Sequence, residues 1–381
     1  MKGLSMFIRN VLLIDNPEQP VDVLVEDCLI KDILLADPDH RDGFDGKGLF
    51  LVSGFTDVHV HGAGGADFSC GDEAGVMMAD KSLARMGTTS YLATTFYLPE
   101  GSNSHLDLLR ELYRSGRCPG MMGIHLEGPF ISPARKGGIN ENKISPYSNK
   151  VLDDVFIHCG DALKMMTIAP EIDETNELIS ILKKHGVIPA FGHTDATGEQ
   201  TRQALKNGIN HVTHICNAMR PIHHREPGPL PEIFDSDVTV QIIADGVHLS
   251  GRMVRFLHTI LGTDRCICIT DGMLSSGLQD GEYVYQNCPF YTKNGEARYI
   301  NNDGLIGTSL SVAQIASRFM TYTDCSFRDA LKTISENPSR IMNRYPEYAI
   351  ISEGNPADLV LTDDSFRISA VWKNGVLMLP E

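Results

Sequence analysis

The sequence predicts an α/β protein: a (β/α)8 TIM barrel carrying a small β-sandwich domain that both chain termini build. Three observations predict it. Eight strand-like apolar runs recur through the middle of the chain, with amphipathic segments between most of them. The two ends read instead as short strands and turns. Finally, His and carboxylate residues stand at the ends of most of the eight runs, where a parallel barrel opens on one rim.

At the N-terminal end, residues 6–13 and 21–25 alternate or run apolar and are broken by Asn16-Pro17. At the C-terminal end, 358–361 form an apolar run, Asp363-Asp364 breaks it, and 370–376 place Asn374-Gly375 between apolar residues. An Asn-Gly in that setting is a strong hairpin signal. Residues 1–50 and 349–381 are therefore expected to pair into one small domain, with the barrel over 51–348.

The eight apolar runs are residues 49–57, 88–95, 121–127, 164–169, 187–193, 211–214, 238–244 and 265–271. Helical patterns lie between them at 72–86, 104–115, 174–184, 199–206 and 252–261. Near-continuous apolar strands alternating with helices belong to a parallel sheet buried on both faces, and eight of them close a barrel. The loop 274–281 and the stretch 304–311 are expected on the rim after the eighth run, and the pairs Met77-Met78 and Met165-Met166 in the core.

Composition narrows the function. Against 33 basic residues stand 49 acidic ones, a net charge of −16, the wrong sign for a general nucleic-acid binder. An anionic substrate would need a local cationic pocket to overcome that field. No apolar stretch approaches the ~18 residues of a membrane span, and the start runs into an alternating segment rather than an apolar leader. No membrane partner and a cytoplasmic location are the expectation. The nine cysteines are odd in number and scattered, which fits a reducing compartment better than a disulfide framework.

The chemistry is concentrated where the runs end. The first ends in His59-Val60-His61 before Gly62-Ala63-Gly64-Gly65, the third in His125-Leu126-Glu127, the fifth in His193, the sixth in His214 and the eighth in Asp271; Asp245 and His248 follow the seventh. Two residues apart on a strand, His59 and His61 share one face and offer half of a divalent-metal site. His125 has the parity of Glu127 but lies deeper, in a supporting or barrel-filling position. The set His59, His61, Glu127, His193, His214 and Asp271 exceeds the ligands of one tetrahedral ion. It suits two ions bridged by Glu127, or one ion with a catalytic acid/base. Asp271, alone on its strand, suits that acid/base role, and His248 suits a carbonyl or a substrate hydroxyl. The reaction class is metal-assisted hydrolysis of an amide, lactam or related bond. Around residue 223, Arg220, His223, His224 and Arg225 face a single acid, Glu226, a cationic island in an acidic chain.

These motifs resemble the amidohydrolase superfamily. Within it, residues 123–131, Gly192-His193-Thr194, 213–219, 225–228, 245–248, Thr270-Asp271-Gly272 and 307–310 resemble the N-acetylglucosamine-6-phosphate deacetylase family. The likeness spans nearly the whole chain. It implies Glu127, His193 and His214 as core metal ligands, and a second ion where His59 and His61 are kept. One or two divalent ions per subunit, zinc, iron or similar, follow from it. So do Asp271 as general base and acid, His248 near the acetamido group, Asn217, Ala218 and Arg225 at the sugar phosphate, and a homodimer. The implied reaction removes the acetyl group of N-acetylglucosamine 6-phosphate, leaving glucosamine 6-phosphate and acetate. Ile139 stands where some members carry a His that reaches the phosphate, with Arg135 and Lys136 beside it.

Other readings are a deacetylase of another amino sugar, such as N-acetylgalactosamine 6-phosphate, and a cyclic-amide hydrolase of the same superfamily. Many of the latter bridge two metals with a carbamylated Lys ending strand four. Here Lys164 begins that run, and it ends in Ala169-Pro170-Glu171, which favours the deacetylase branch. A silent barrel used for assembly would have lost ligands that this chain keeps.

Overall fold

The computed structural model describes residues 5–37, 39, 42–173 and 177–378. Its middle is an eight-stranded parallel sheet in sequence order: β1 (Phe55–Val60), β2 (Thr88–Thr95), β3 (Met121–Glu127), β4 (Leu163–Ile168), β5 (Ile188–Phe191), β6 (His211–Val212), β7 (Thr239–Ile242) and β8 (Cys266–Cys268). The backbone closes the barrel from β8 to β1: Asp271 N–H donates to His59 O at 2.9 Å and His61 N–H to Gly272 O at 2.8 Å. Inside that seam, buried Asp57 accepts from Thr270 Oγ1 at 2.5 Å and from the His59 N–H at 3.1 Å. Burial is complete along β2 and β3, as a sheet covered on both faces requires.

Helices fall where the periodicity places them. Ser104–Ser115 buries Leu106, Leu109 and Leu112 along one stripe, the spacing of an amphipathic surface helix. Of the pattern over 174–184, Glu177–Lys184 is helical, and 174–176 lie outside the described residues. Among the described residues no helix is long and apolar enough to cross a membrane. All nine cysteines are free.

The termini meet in a separate sheet. Leu359–Thr362 pairs antiparallel with Phe50–Ser53, and Ser5–Leu13 pairs with Asn16–Glu26. Ile8, Val23 and Ile30 share one core cluster with Leu359, Leu361 and Trp372. The Asn-Gly hairpin is present: Asn374 and Gly375 take φ of 49° and 71° between Ile368–Lys373 and Val376–Met378, as a type I′ turn demands.

Three details correct the sequence reading. The run 49–57 is two strands, because Phe50–Ser53 stays in the terminal sheet and the barrel starts at Phe55. Gly54 makes that crossing, and a Cβ there would stand 2.0 Å from Thr89 Oγ1. Residues 281–308 form a four-stranded antiparallel sheet, its strands Gly281–Tyr285, Cys288–Lys293, Glu296–Tyr299 and Leu305–Thr308, so the expected rim stretch 304–311 begins as a strand and the segment before it, left unassigned by the sequence, is sheet. Met77 and Met78 are 40% and 46% exposed, unlike fully buried Met165 and Met166.

Candidate metal centre

Every ligand candidate arrives at the same rim. His59 lies near the end of β1 and His61 just past it, Glu127 closes β3, and His193, His214 and Asp271 follow β5, β6 and β8. The last three hold φ of 48°, 21° and 48°, a left-handed conformation that non-glycine residues rarely adopt and that often marks functional sites. The strand Leu305–Thr308 braces Asp271, since Thr308 N–H donates to Asp271 O at 3.0 Å. Gly307 beside it has a φ of 146°, and a Cβ there would meet that same carbonyl at 2.4 Å.

The six side chains form two buried groups, His59–His61–Asp271 and Glu127–His193–His214. In the first, Asp271 Oδ1 lies 3.3 Å from His59 Nε2 and 3.2 Å from His61 Nε2. In the second, Glu127 Oε1 is 2.9 Å from His193 Nε2 and 3.0 Å from His214 Nε2, and the two nitrogens are 3.0 Å apart. Glu127 also faces the first group, 3.6 Å from His59 Nε2 and 3.5 Å from His61 Nε2. Its carboxylate thus faces both groups.

Hydrogen bonding tests whether cations fit. His193 Nδ1 faces the Arg135 carbonyl at 2.9 Å, and a carbonyl only accepts, so a neutral His193 keeps its proton on Nδ1 and directs a bare Nε2 at Glu127 and His214. Lone pairs on two nitrogens and a carboxylate meeting at about 3 Å repel unless a proton or cation sits among them. His59 Nε2 is buried with no hydrogen-bond partner. These donor sets fit a divalent ion.

Electrostatics agree. Burial opposes charge on His193, but the Glu127 carboxylate outweighs it and raises the imidazole above its ordinary value. Burial would also push His61 down, yet hydrogen bonds to Asp271 and Glu127 carry it up to about 9. His59, with burial dominant, falls to about 4. Glu127 and Asp271 are both depressed: burial alone would raise them, and His59 with the neighbouring imidazoles reverses it. Below pH 9 the metal-free His61 thus holds a proton that an incoming ion must displace. Affinity for a divalent ion should rise with pH up to about 9, roughly tenfold per unit for each proton displaced. Titrations at several pH values check this, and a pH-independent affinity would refute it.

The supporting groups sort clearly. His125 is fully buried between Val58 O at 3.1 Å and Thr167 Oγ1 at 2.8 Å, and burial holds its pKa well down, as a barrel-filling residue. His248 Nδ1 is 2.6 Å from Asp245 Oδ2, which leaves Nε2 for the cavity.

That cavity, about 170 Å3, is lined by Asn217, Ala218 and His248 together with His61, Glu127, His193, His214 and Asp271. Arg225 does not line it; this residue is exposed, with Nη1 2.6 Å from His224 Nε2. Ile139 does line it, whereas Arg135 is held by Asp195 at 2.8 Å. The sequence reading missed Lys143, which among the described residues is the single Lys or Arg lining the cavity. Its Nζ lies 3.9 Å over the Phe96 ring and contacts Gln286 Oε1. Burial lowers its pKa to about 8. Tyr285, Tyr299 and Ile306, from the antiparallel sheet, wall the same space.

The Amidohydrolase family profile matches residues 50–378. Over 324 residues the chain is 32% identical to the N-acetylglucosamine-6-phosphate deacetylase of Bacillus subtilis, covering 84% of this chain and 82% of that one. The solved N-acetylglucosamine-6-phosphate deacetylase of Thermotoga maritima matches with a TM-score of 0.84 and 31% identity over 99% of this chain and 100% of that one. A mutant of the Mycobacterium smegmatis enzyme, in complex with N-acetyl-D-glucosamine-6-phosphate, matches with a TM-score of 0.87 and 28% identity over 100% of both chains. The chain therefore belongs to the amidohydrolase family, alongside these deacetylases.

Proposed function

We propose that this chain is a metal-dependent N-acetylglucosamine-6-phosphate deacetylase, producing glucosamine 6-phosphate and acetate. The observation that carries the reading is the meeting of two ligand groups about Glu127 at one rim, beside a cavity into which Asp271 opens. The names and the substrate complex of its relatives supply the substrate.

His59, His61 and Asp271 would hold one ion and Glu127, His193 and His214 another, zinc, iron or similar. The chemistry supplied by a bound divalent ion is Lewis acidity, which polarises a carbonyl and acidifies water towards a pKa of about 7. The remaining work belongs to side chains. Asp271, held ionised by the neighbouring imidazoles, takes a proton from the attacking water and returns it to the sugar nitrogen as the C–N bond breaks. Neutral His248 presents a bare Nε2 that accepts from the acetamido N–H or a hydroxyl; protonated, it donates to the carbonyl. Asn217 and Ala218 contact the sugar phosphate, and the tyrosines of the antiparallel sheet exclude water.

Two cations serve the phosphate. Lys143 works from inside the cavity, and Arg225, on an exposed loop, reaches the neighbouring subunit's cavity in a homodimer. Acetate release should require a divalent ion and favour the 6-phosphate of N-acetylglucosamine over its galactosamine counterpart and over both unphosphorylated sugars. Lys143→Met and Arg225→Ala should each raise KM for the phosphorylated sugar by about 10–100-fold, the worth of a charged hydrogen bond, with little change for the neutral analogue. Equal effects on both substrates would rule out phosphate contacts.

A further inference from the structure

Gln241 is fully buried in the middle of β7, and no step of the proposed reaction uses it. Its amide orientation is determined by one neighbour. The His214 backbone N–H, which can only donate, lies 3.2 Å from the side-chain atom that must therefore be Oε1. That same oxygen is 3.0 Å from His59 Nδ1. Since an amide oxygen only accepts, His59 carries its proton on Nδ1 and turns the lone pair of Nε2 to the site. On its other side, Gln241 Nε2 donates to His211 Nε2 at 3.0 Å, which places the His211 proton on Nδ1, 2.8 Å from Thr239 Oγ1. The Gln241 backbone carbonyl also accepts from the Ile215 N–H at 3.0 Å. One residue thus brackets His214, whose φ is 21°, and selects the tautomer of His59.

We infer that Gln241 is a positioning residue for the metal centre, fixing one ligand of each group. Hydrogen bonds to the far nitrogen of a ligating His orient the ring and raise its basicity, and their loss costs about 10–100-fold in metal affinity. The larger part should fall on the ion held by His59, whose side chain Gln241 touches directly. This assignment rests on the metal-centre reading above.

The test compares metal-stripped unaltered protein, Q241M and Q241E. Each is titrated with Zn2+ against a chelating dye, and metal per subunit is counted by mass spectrometry. Q241M removes the acceptor and should bind an ion about 10–100-fold more weakly. Q241E keeps an acceptor for both His59 Nδ1–H and the His214 N–H, and His211 can switch tautomer to donate, so affinity should be restored. Unchanged binding in Q241M, or Q241E as impaired as Q241M, overturns the assignment while the metal centre stands. Failure of the unaltered protein to take up any divalent ion overturns both. Should Q241M not fold, nitrogen NMR of His-labelled unaltered protein decides the matter: protonated Nδ1 on His59 supports the assignment, and unprotonated Nδ1 overturns it.

Discussion

Replacing Asp271 by Asn should lower turnover by about 10²–10⁴-fold, the usual worth of a positioned general acid–base group, while KM stays within a few-fold of its original value. Asn is nearly isosteric, so the brace from Thr308 and the φ of 48° are unaffected by the change. What disappears is the capacity to take a proton. Asp271 is the most open of the six ligand candidates, with 12% of its side chain exposed against at most 5% for the others, so it alone offers much surface to a substrate. Its membership of the His59–His61 group means that an ion there should bind more weakly in the variant. The Glu127–His193–His214 group lacks Asp271, so at least one ion per subunit should remain. Metal content and acetate release measured on the same sample separate these effects. Near-normal turnover with metal in place would remove Asp271 as the acid/base.

The rim was readable because a parallel barrel makes polar residues conspicuous. Its strands are buried on both faces, so His59, Glu127 and His193 at the ends of apolar runs need a reason, and chain order alone assigns them to different strands opening on one side. The features that escaped depend on register and irregular backbone. Gln241 lies inside an apolar run and gains its meaning from His211 on the neighbouring strand, His214 just past that strand's end, and His59 on β1. Lys143 sits in a 3-10 turn, Glu141–Lys143, with no periodicity to announce its burial. The break at Gly54 leaves both flanking segments apolar, since one belongs to the terminal sheet's core and the other to the barrel's. The sheet over 281–308 alternates in burial but not in hydropathy, since its exposed positions include Val284 and Pro289 as well as Glu282, and it reads as loop when no partner strand is in view.

Replacing Glu127 by Ala should abolish acetate release and empty the centre further than any other single change. Its two oxygens face both groups, within 3.6 Å of all four histidines, so one truncation removes a ligand of the His193–His214 group and the carboxylate that faces His59 and His61. Divalent-ion catalysis is worth several kcal/mol and each 1.36 kcal/mol is tenfold in rate, so turnover should fall by at least about 10³-fold. The fold should survive. A buried carboxylate among permanent cations would leave stranded charge on removal, but these partners are imidazoles. Glu127 is one of the groups that raise His61, after Asp271, and the main one that raises His193, so its removal favours their neutral forms. Thermal unfolding of metal-free protein should therefore differ little between Glu127→Ala and the original at neutral pH. The metal-induced rise in Tm expected of the original protein, through binding to the native state alone, should largely vanish in the variant. A variant that still holds two ions per subunit would show that Glu127 does not bridge the groups.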